Sequence, residues 1–164
     1  MNVETKLFDN GNIENYIDDI AHLRISIFRE YPYLYDGDKE YESKYLKKFI
    51  STYDSIMVLV FSNDKIVGAL TGLPLRCEEP NVYEPWIQTN RSVDQFFYFS
   101  EGLLYREYRN KGIGRRMFQL AESWVEKTGR YEALTLATVI RNQDHPQKPK
   151  GYHSTDPFWE KLGY

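Results

Sequence analysis

The chain has 164 residues, enough for one domain with a real core and too few for two comfortable ones. Its apolar fraction of 41% and charged fraction of 27% read as globular, and no run approaches the roughly 18 apolar residues that mark a membrane span. The formal net charge of −3 argues against a nucleic-acid binder, which would usually show a basic face.

In chain order, Thr5–Phe8 reads as a short strand. A helix is expected over Ile13–Glu30, with Ile13, Ile17, Ile20, Leu23 and Ile27 on one face at helical spacing. Pro32 ends it, and Asp36-Gly37-Asp38 makes a turn into a second helix over Lys39–Ser51. Ser55–Phe61 and Lys65–Leu73 form a hairpin around Asn63-Asp64. Residues Arg76 to Asp94, with Pro80 and Pro85, read as a long surface loop. Gln95–Tyr105 is an apolar strand interrupted by Ser100-Glu101-Gly102. A helix over Gly112–Thr128 stops at Gly129, and Tyr131–Val139 alternates as a strand. A polar loop, Arg141–Ser154, precedes a last helix with Asp156 as N-cap and Pro157 at N1. The order is that of a mixed α/β sheet domain spanning residues 1–164.

Two compositional features point to where function lies. Tyrosine is frequent, at 14 residues, and Tyr31, Tyr33, Tyr35, Tyr41 and Tyr45 cluster. A ring with a polar tip suits either a ligand cleft or the rim of a core. Cys77 is the single cysteine, so no internal disulfide forms, and the His and Cys spacing gives no metal site. With a polar N-terminus, Met1–Lys6, that lacks a secretory signal, the expectation is a cytoplasmic protein.

The stretch from Arg106 to Arg116 carries Arg106, Arg109, Lys111, Arg115 and Arg116 against one acid, Glu107. A basic island in an acidic chain invites an anionic ligand. It lies between a buried strand and a helix that opens at Gly112, the arrangement that binds phosphate. The first helical turn has unpaired N–H groups and the positive end of the dipole. Glycines at 112 and 114 remove the Cβ atoms that would block a pyrophosphate. A Walker A loop is excluded because Arg115-Arg116 follows Gly114, and a dinucleotide fingerprint because position 117 is Met.

The remaining pattern, Arg109-Asn110-Lys111-Gly112-Ile113-Gly114, resembles the acyl-CoA signature of the GNAT N-acetyltransferase superfamily. The closing Phe158-Trp159-Glu160-Lys161-Leu162-Gly163-Tyr164 resembles a second element of that family. The resemblance implies a mostly antiparallel central sheet flanked by helices, with the fourth strand splayed from the fifth. Pantetheine of acetyl-CoA would pair with the main chain around Leu103, Leu104 and Tyr105, and Arg109, Asn110, Lys111, Gly112, Ile113, Gly114 and Arg115 would hold the pyrophosphate.

The resemblance also implies acyl transfer from acetyl-CoA to a primary amine of a small molecule or peptide. An amine of pKa about 10.4 is mostly protonated at pH 7, an unfavourable ratio worth roughly 4.6 kcal/mol, so the protein must help remove a proton. Glu101, a lone carboxylate in an apolar strand, is the candidate base, and burial is expected to raise its pKa. Relatives often carry a tyrosine as general acid where this chain has Trp159. Tyr152 is the candidate replacement. His145 and Cys77 read as structural. The acids of the first two helices and of the loop, among them Glu30, Asp36, Glu42 and Glu78, would favour a cationic acceptor.

Family members continue past the closing element with further strands. The resemblance therefore implies that the sheet stands incomplete at Tyr164, through truncation, an open edge or a homodimer. Two readings compete with an enzyme: a silent acyl-CoA sensor of the same fold, and an interaction domain whose basic loop takes another anion.

Overall fold

The computed structural model describes residues 3–9 and 12–164; Met1 and Asn2 of the N-terminus read above lie outside them. Five strands form one sheet in the order β1-β2-β3-β4-β5. They are β1 (Val3–Asp9), β2 (Ile56–Ser62), β3 (Lys65–Pro74), β4 (Phe96–Leu104) and β5 (Ala133–Leu136). The first four pair antiparallel, and β4 pairs with β5 in parallel. The helices are α1 (Ile17–Phe28), α2 (Lys39–Ser51), α3 (Pro80–Ile87), α4 (Ile113–Thr128) and α5 (Asp156–Leu162). No helix among the described residues is long and apolar enough to cross a membrane.

Each face of the sheet carries its own core. On one side Ile20, Leu23 and Ile27 of α1 and Leu46 and Phe49 of α2 pack on Met57, Leu59, Ala69 and Leu103. On the other side Met117, Phe118, Ala121 and Val125 of α4 pack on Val58, Val60, Leu70, Phe97 and Phe99. Full burial of each such Leu, Ile, Val, Met or Phe side chain stabilises by about 1.5–3 kcal/mol. A smaller cluster of Leu75, Val93, Phe96 and Tyr98 lies under α3.

The segment expected as a surface loop, Arg76 to Asp94, contains α3. Pro80 sits at its first turn, where its missing N–H costs nothing. Trp86 then docks its ring 5.1 Å from Phe96, and this packing holds a short helix despite Pro85. The long first helix is also shorter than expected: residues Glu14–Tyr16 form a 3-10 turn, and α1 ends at Phe28. The last strand stops at Leu136 rather than Val139. Thr155, not Asp156, is the N-cap of α5.

Two irregularities position everything that follows. β5 accompanies β4 only from Phe96 to Phe99, so from Ser100 to Leu104 β4 has β3 on one side and no strand on the other. In addition, Thr71 faces Glu101 while Gly72 faces Phe99, which leaves Ser100 as the extra residue of a β-bulge. Before the bulge Phe97 and Phe99 point at α4; after it Leu103 points at α1 and Gly102 lies against Phe118 of α4. Unbroken alternation would have sent Glu101 to the α4 face after Phe97 and Phe99. The extra residue turns it to the α1 face instead.

Candidate active site

The gap between β4 and β5 leaves backbone groups open. Tyr105 donates its N–H to the Val67 carbonyl, so the antiparallel alternation directs the main-chain groups of Leu103 and Tyr105 at β3 and those of Gly102 and Leu104 into the gap. The Leu104 carbonyl confirms this direction, because it accepts from Arg109 Nε at 2.8 Å across the gap. Of the three residues expected to offer main chain to a ligand, only Leu104 faces the opening. Gly102, which the sequence reading left out, faces it too and is exposed. The Trp159 ring lies 4.0 Å from where a Gly102 Cβ would stand, and forms a wall there.

The gap leads to the start of α4. Gly112 is its N-cap, at φ +77°, with no side-chain cap. The first helical bond runs from the Arg116 N–H to the Gly112 carbonyl, so the N–H groups of Ile113, Gly114 and Arg115 have no acceptor in the helix. Asn110 also takes a left-handed conformation, at φ 60°, which asparagine tolerates. A Cβ at Gly112 would meet nothing within 4 Å, so this position is glycine for its backbone; a Cβ at Gly114 would meet Phe158 at 3.4 Å.

The basic side chains divide. Arg109 turns back, to the Leu104 carbonyl and to Glu30 Oε2 at 3.1 Å. Lys111 donates to the Glu107 carbonyl. Arg115 and Arg116 are exposed beside the open amides.

On the α1 side of β4 lies a cleft of about 370 Å³. Its floor is Arg24, Ser100, Glu101 and Gly102; Tyr33, Tyr35, Tyr41 and Tyr45 form the walls, with Ala137 and Val139 beyond the end of β5. The clustered tyrosines of the sequence thus do converge on a cleft. Glu101 is not the lone carboxylate expected. Its side chain is 9% exposed and paired with Arg24 Nη1, while Arg24 Nε pairs with the fully buried Glu42. Arg24 in turn lies over the rings of Tyr45, at 4.2 Å, and Phe28, at 5.0 Å. Gly37 permits this arrangement, since a Cβ there would stand 2.8 Å from Glu42 Oε1. Burial pushes the Tyr45 hydroxyl well above the ordinary phenol range, reinforced by Glu78.

Several of the acids of the first two helices and of the following segment, expected to line the acceptor side, are engaged elsewhere. Glu78 takes Lys48 Nζ and Ser100 Oγ, each at 2.8 Å, and so ties the bulge to α2. Glu30 holds Arg109, Asp36 holds Arg29, and Asp38 caps α2 by accepting from the Tyr41 N–H.

Tyr152 is not among the residues lining the cleft. It packs edge-on against Tyr31 at 4.6 Å, and His145 lies against the same ring. Burial first, then Tyr31, raises its pKa and makes it a weaker acid. The polar loop after β5 is clasped here: Arg141 donates to the carbonyls of Pro32 and Tyr33 at 2.8 Å each. Cys77 is pushed upward by burial and by Asp94, the wrong direction for a nucleophile. The sequence reading missed Arg24, whose helical position among apolar neighbours gave no sign of partners on α2 and β4.

The GNAT acetyltransferase family model matches residues 18–164. The chain belongs to the GNAT acetyltransferase family. No curated protein matches the sequence, whereas many solved structures share the fold. The aminoglycoside N-acetyltransferase AAC(6')-Iy in complex with CoA aligns over 99% of this chain and 88% of its own, with TM-score 0.67 and 8% identity. The ribosomal-protein-alanine N-acetyltransferase of Brucella melitensis biovar Abortus 2308 aligns over 100% and 92%, with TM-score 0.62 and 14% identity. A V. cholerae integron cassette protein aligns over 100% and 86%, with TM-score 0.61 and 17% identity. At such identities the likeness is one of fold, and this GNAT chain's own chemistry rests on its own residues.

Proposed function

We propose that this GNAT protein is an acetyl-CoA-dependent N-acetyltransferase acting on a primary amine. The observation that carries this reading is the continuity of the β4–β5 gap: main-chain groups of Gly102 and Leu104 facing it on one side, amides of Ile113, Gly114 and Arg115 without a helical acceptor at its end, and a carboxylate-floored cleft across β4. The presence of CoA in AAC(6')-Iy, and of the bisubstrate analogue CoA-S-monomethyl-acetylneamine in another structure of that enzyme, supports the cofactor.

The residues fit the ligand in kind. The α4 amides, with Arg115 and Arg116, are donors for a pyrophosphate. The extended main chain at Gly102 and Leu104 offers strand-like pairing to pantetheine. Arg109 would leave the Leu104 carbonyl for that pairing and turn to phosphate, exchanging one acceptor for another. Acetyl-CoA supplies the acetyl group as a thioester, whose transfer to an amine forms a C–N bond, breaks the C–S bond and releases a thiol. Among the chain's residues, the amides facing the gap are the donors for a carbonyl oxygen that gains negative charge. Glu101 is the proton acceptor for the amine, directly or through water, held by Arg24 and aimed by the bulge. Tyr152 serves the clasp of the loop on Tyr31 and Tyr33.

Thiol release from acetyl-CoA, followed across a panel of primary amines, tests this reading. Wild type is expected to turn over at least one amine, and Glu101→Gln to lose about 10²–10⁴-fold in kcat with acetyl-CoA affinity retained. Binding of acetyl-CoA with no amine ever consumed would instead mark an acyl-CoA-binding module.

A further inference from the structure

Three tyrosines at the cleft mouth stay exposed in a way their chemistry does not favour. Tyr33, Tyr35 and Tyr41 are 38%, 41% and 59% exposed, and all border the cleft. Large aromatic rings gathered on one open face mark a binding surface more often than chance decoration. Phe28 and Tyr45 have a partner already, because Arg24 lies over both. None of the three exposed tyrosines has a cation over its ring among the described residues.

The floor carries the opposite character. Arg24 is paired with two carboxylates, Glu42 and Glu101, so one guanidinium faces two acids and one negative charge is left over. Glu101 Oε2 and the hydroxyl of Thr71, its cross-strand neighbour, are buried without a hydrogen-bond partner. A native interior satisfies such groups with water or ligand. Among the described residues no further acid lines the cleft; Asp36, Asp38 and Glu78 make other contacts.

From this division we infer that the acceptor is a small monoammonium compound with an aromatic or apolar body. Its ammonium meets the single surplus negative charge at Glu101, and its body lies against Tyr33, Tyr35 and Tyr41. A polycation of the aminoglycoside or polyamine type would bring several ammonium groups to a cleft with one charge to offer. The remaining charges would face tyrosine rings, where cation–π attraction compensates only part of the lost hydration. This inference rests on the proposed acetyltransferase reading for its chemistry but predicts amine binding in its own right.

Titration calorimetry with phenethylamine and with the polycation neamine, in the presence of saturating CoA, separates the two questions. Phenethylamine is expected to bind at least tenfold more tightly than neamine. Tyr41→Ala, at a position exposed enough to fold normally, should weaken phenethylamine about tenfold and leave neamine unchanged. Equal or tighter binding of neamine, or no binding of phenethylamine, would overturn the inference. A separate titration with CoA that shows no binding would defeat the acetyltransferase reading, while the amine titration repeated without CoA would still decide this one.

Discussion

Arg24 is the residue on which the cleft turns. It leaves α1 between core positions, yet it is 5% exposed and holds carboxylates from two other elements. Removing one partner of a buried charge cluster is far costlier than the cluster's net worth, because the others remain unpaired. Arg24→Met should therefore lower stability by about 3–5 kcal/mol, and a denaturant melt reads this directly. Tyr98 gives a different signature. Burial, assisted by Glu78, raises its pKa from 10.0 to about 12. The native state then holds a proton that the unfolded chain releases between those values, so stability falls as pH rises from about 10 to about 12. Tyr98→Phe should flatten part of that fall, visible as a smaller change in melting temperature across the same interval.

At the scale of elements, the bulge at Ser100 decides the chemistry of β4. The apolar run Phe96–Phe99 shows plainly as a buried strand, and Glu101 stands out within its continuation. Which face Glu101 takes was not legible, because one inserted residue reverses parity without altering the pattern of residue types. Deleting Ser100 brings Glu101 directly after Phe99 and so keeps it on the α1 face; the loss is that of the Ser100 bond to Glu78, worth about 1 kcal/mol in a denaturant melt. A second element-level device is the clasp of Arg141 on the Pro32 and Tyr33 carbonyls, which ties the loop after β5 to a wall of the cleft. Arg141→Ala should raise KM for the amine several-fold and leave acetyl-CoA affinity unchanged, since nothing at the α4 terminus depends on it. The helix α3 escaped the sequence reading for a related reason. Two prolines suggested a loop, and only the docking of Trp86 on Phe96 overrode them.

Across the whole molecule, the sheet separates two jobs. The α4 face and the strand gap present main-chain donors and cationic side chains, and the α1–α2 face presents the tyrosine-walled cleft. The first half was readable because its signals are local: Gly112 and Gly114 with the basic residues lie within one short stretch. The second was only half readable, because Arg24, Glu42 and Glu101 are joined by tertiary packing and by no spacing in the chain. Strand pairing is likewise not written in the local pattern: Leu103 and Tyr105 turn their main-chain groups to β3, while those of Leu104 and Gly102 face the gap.

The most direct test of this account is thermal unfolding with and without acetyl-CoA, on wild type and on Gly112→Val. A ligand at about 100 times its Kd stabilises a fold by about 2.7 kcal/mol, which is a rise of roughly 5–10 °C for a domain of this size. Wild type should show that rise. The variant should lose it, because a β-branched residue is forced there to φ +77°. A wild type that folds cooperatively and shows no shift would contradict this account.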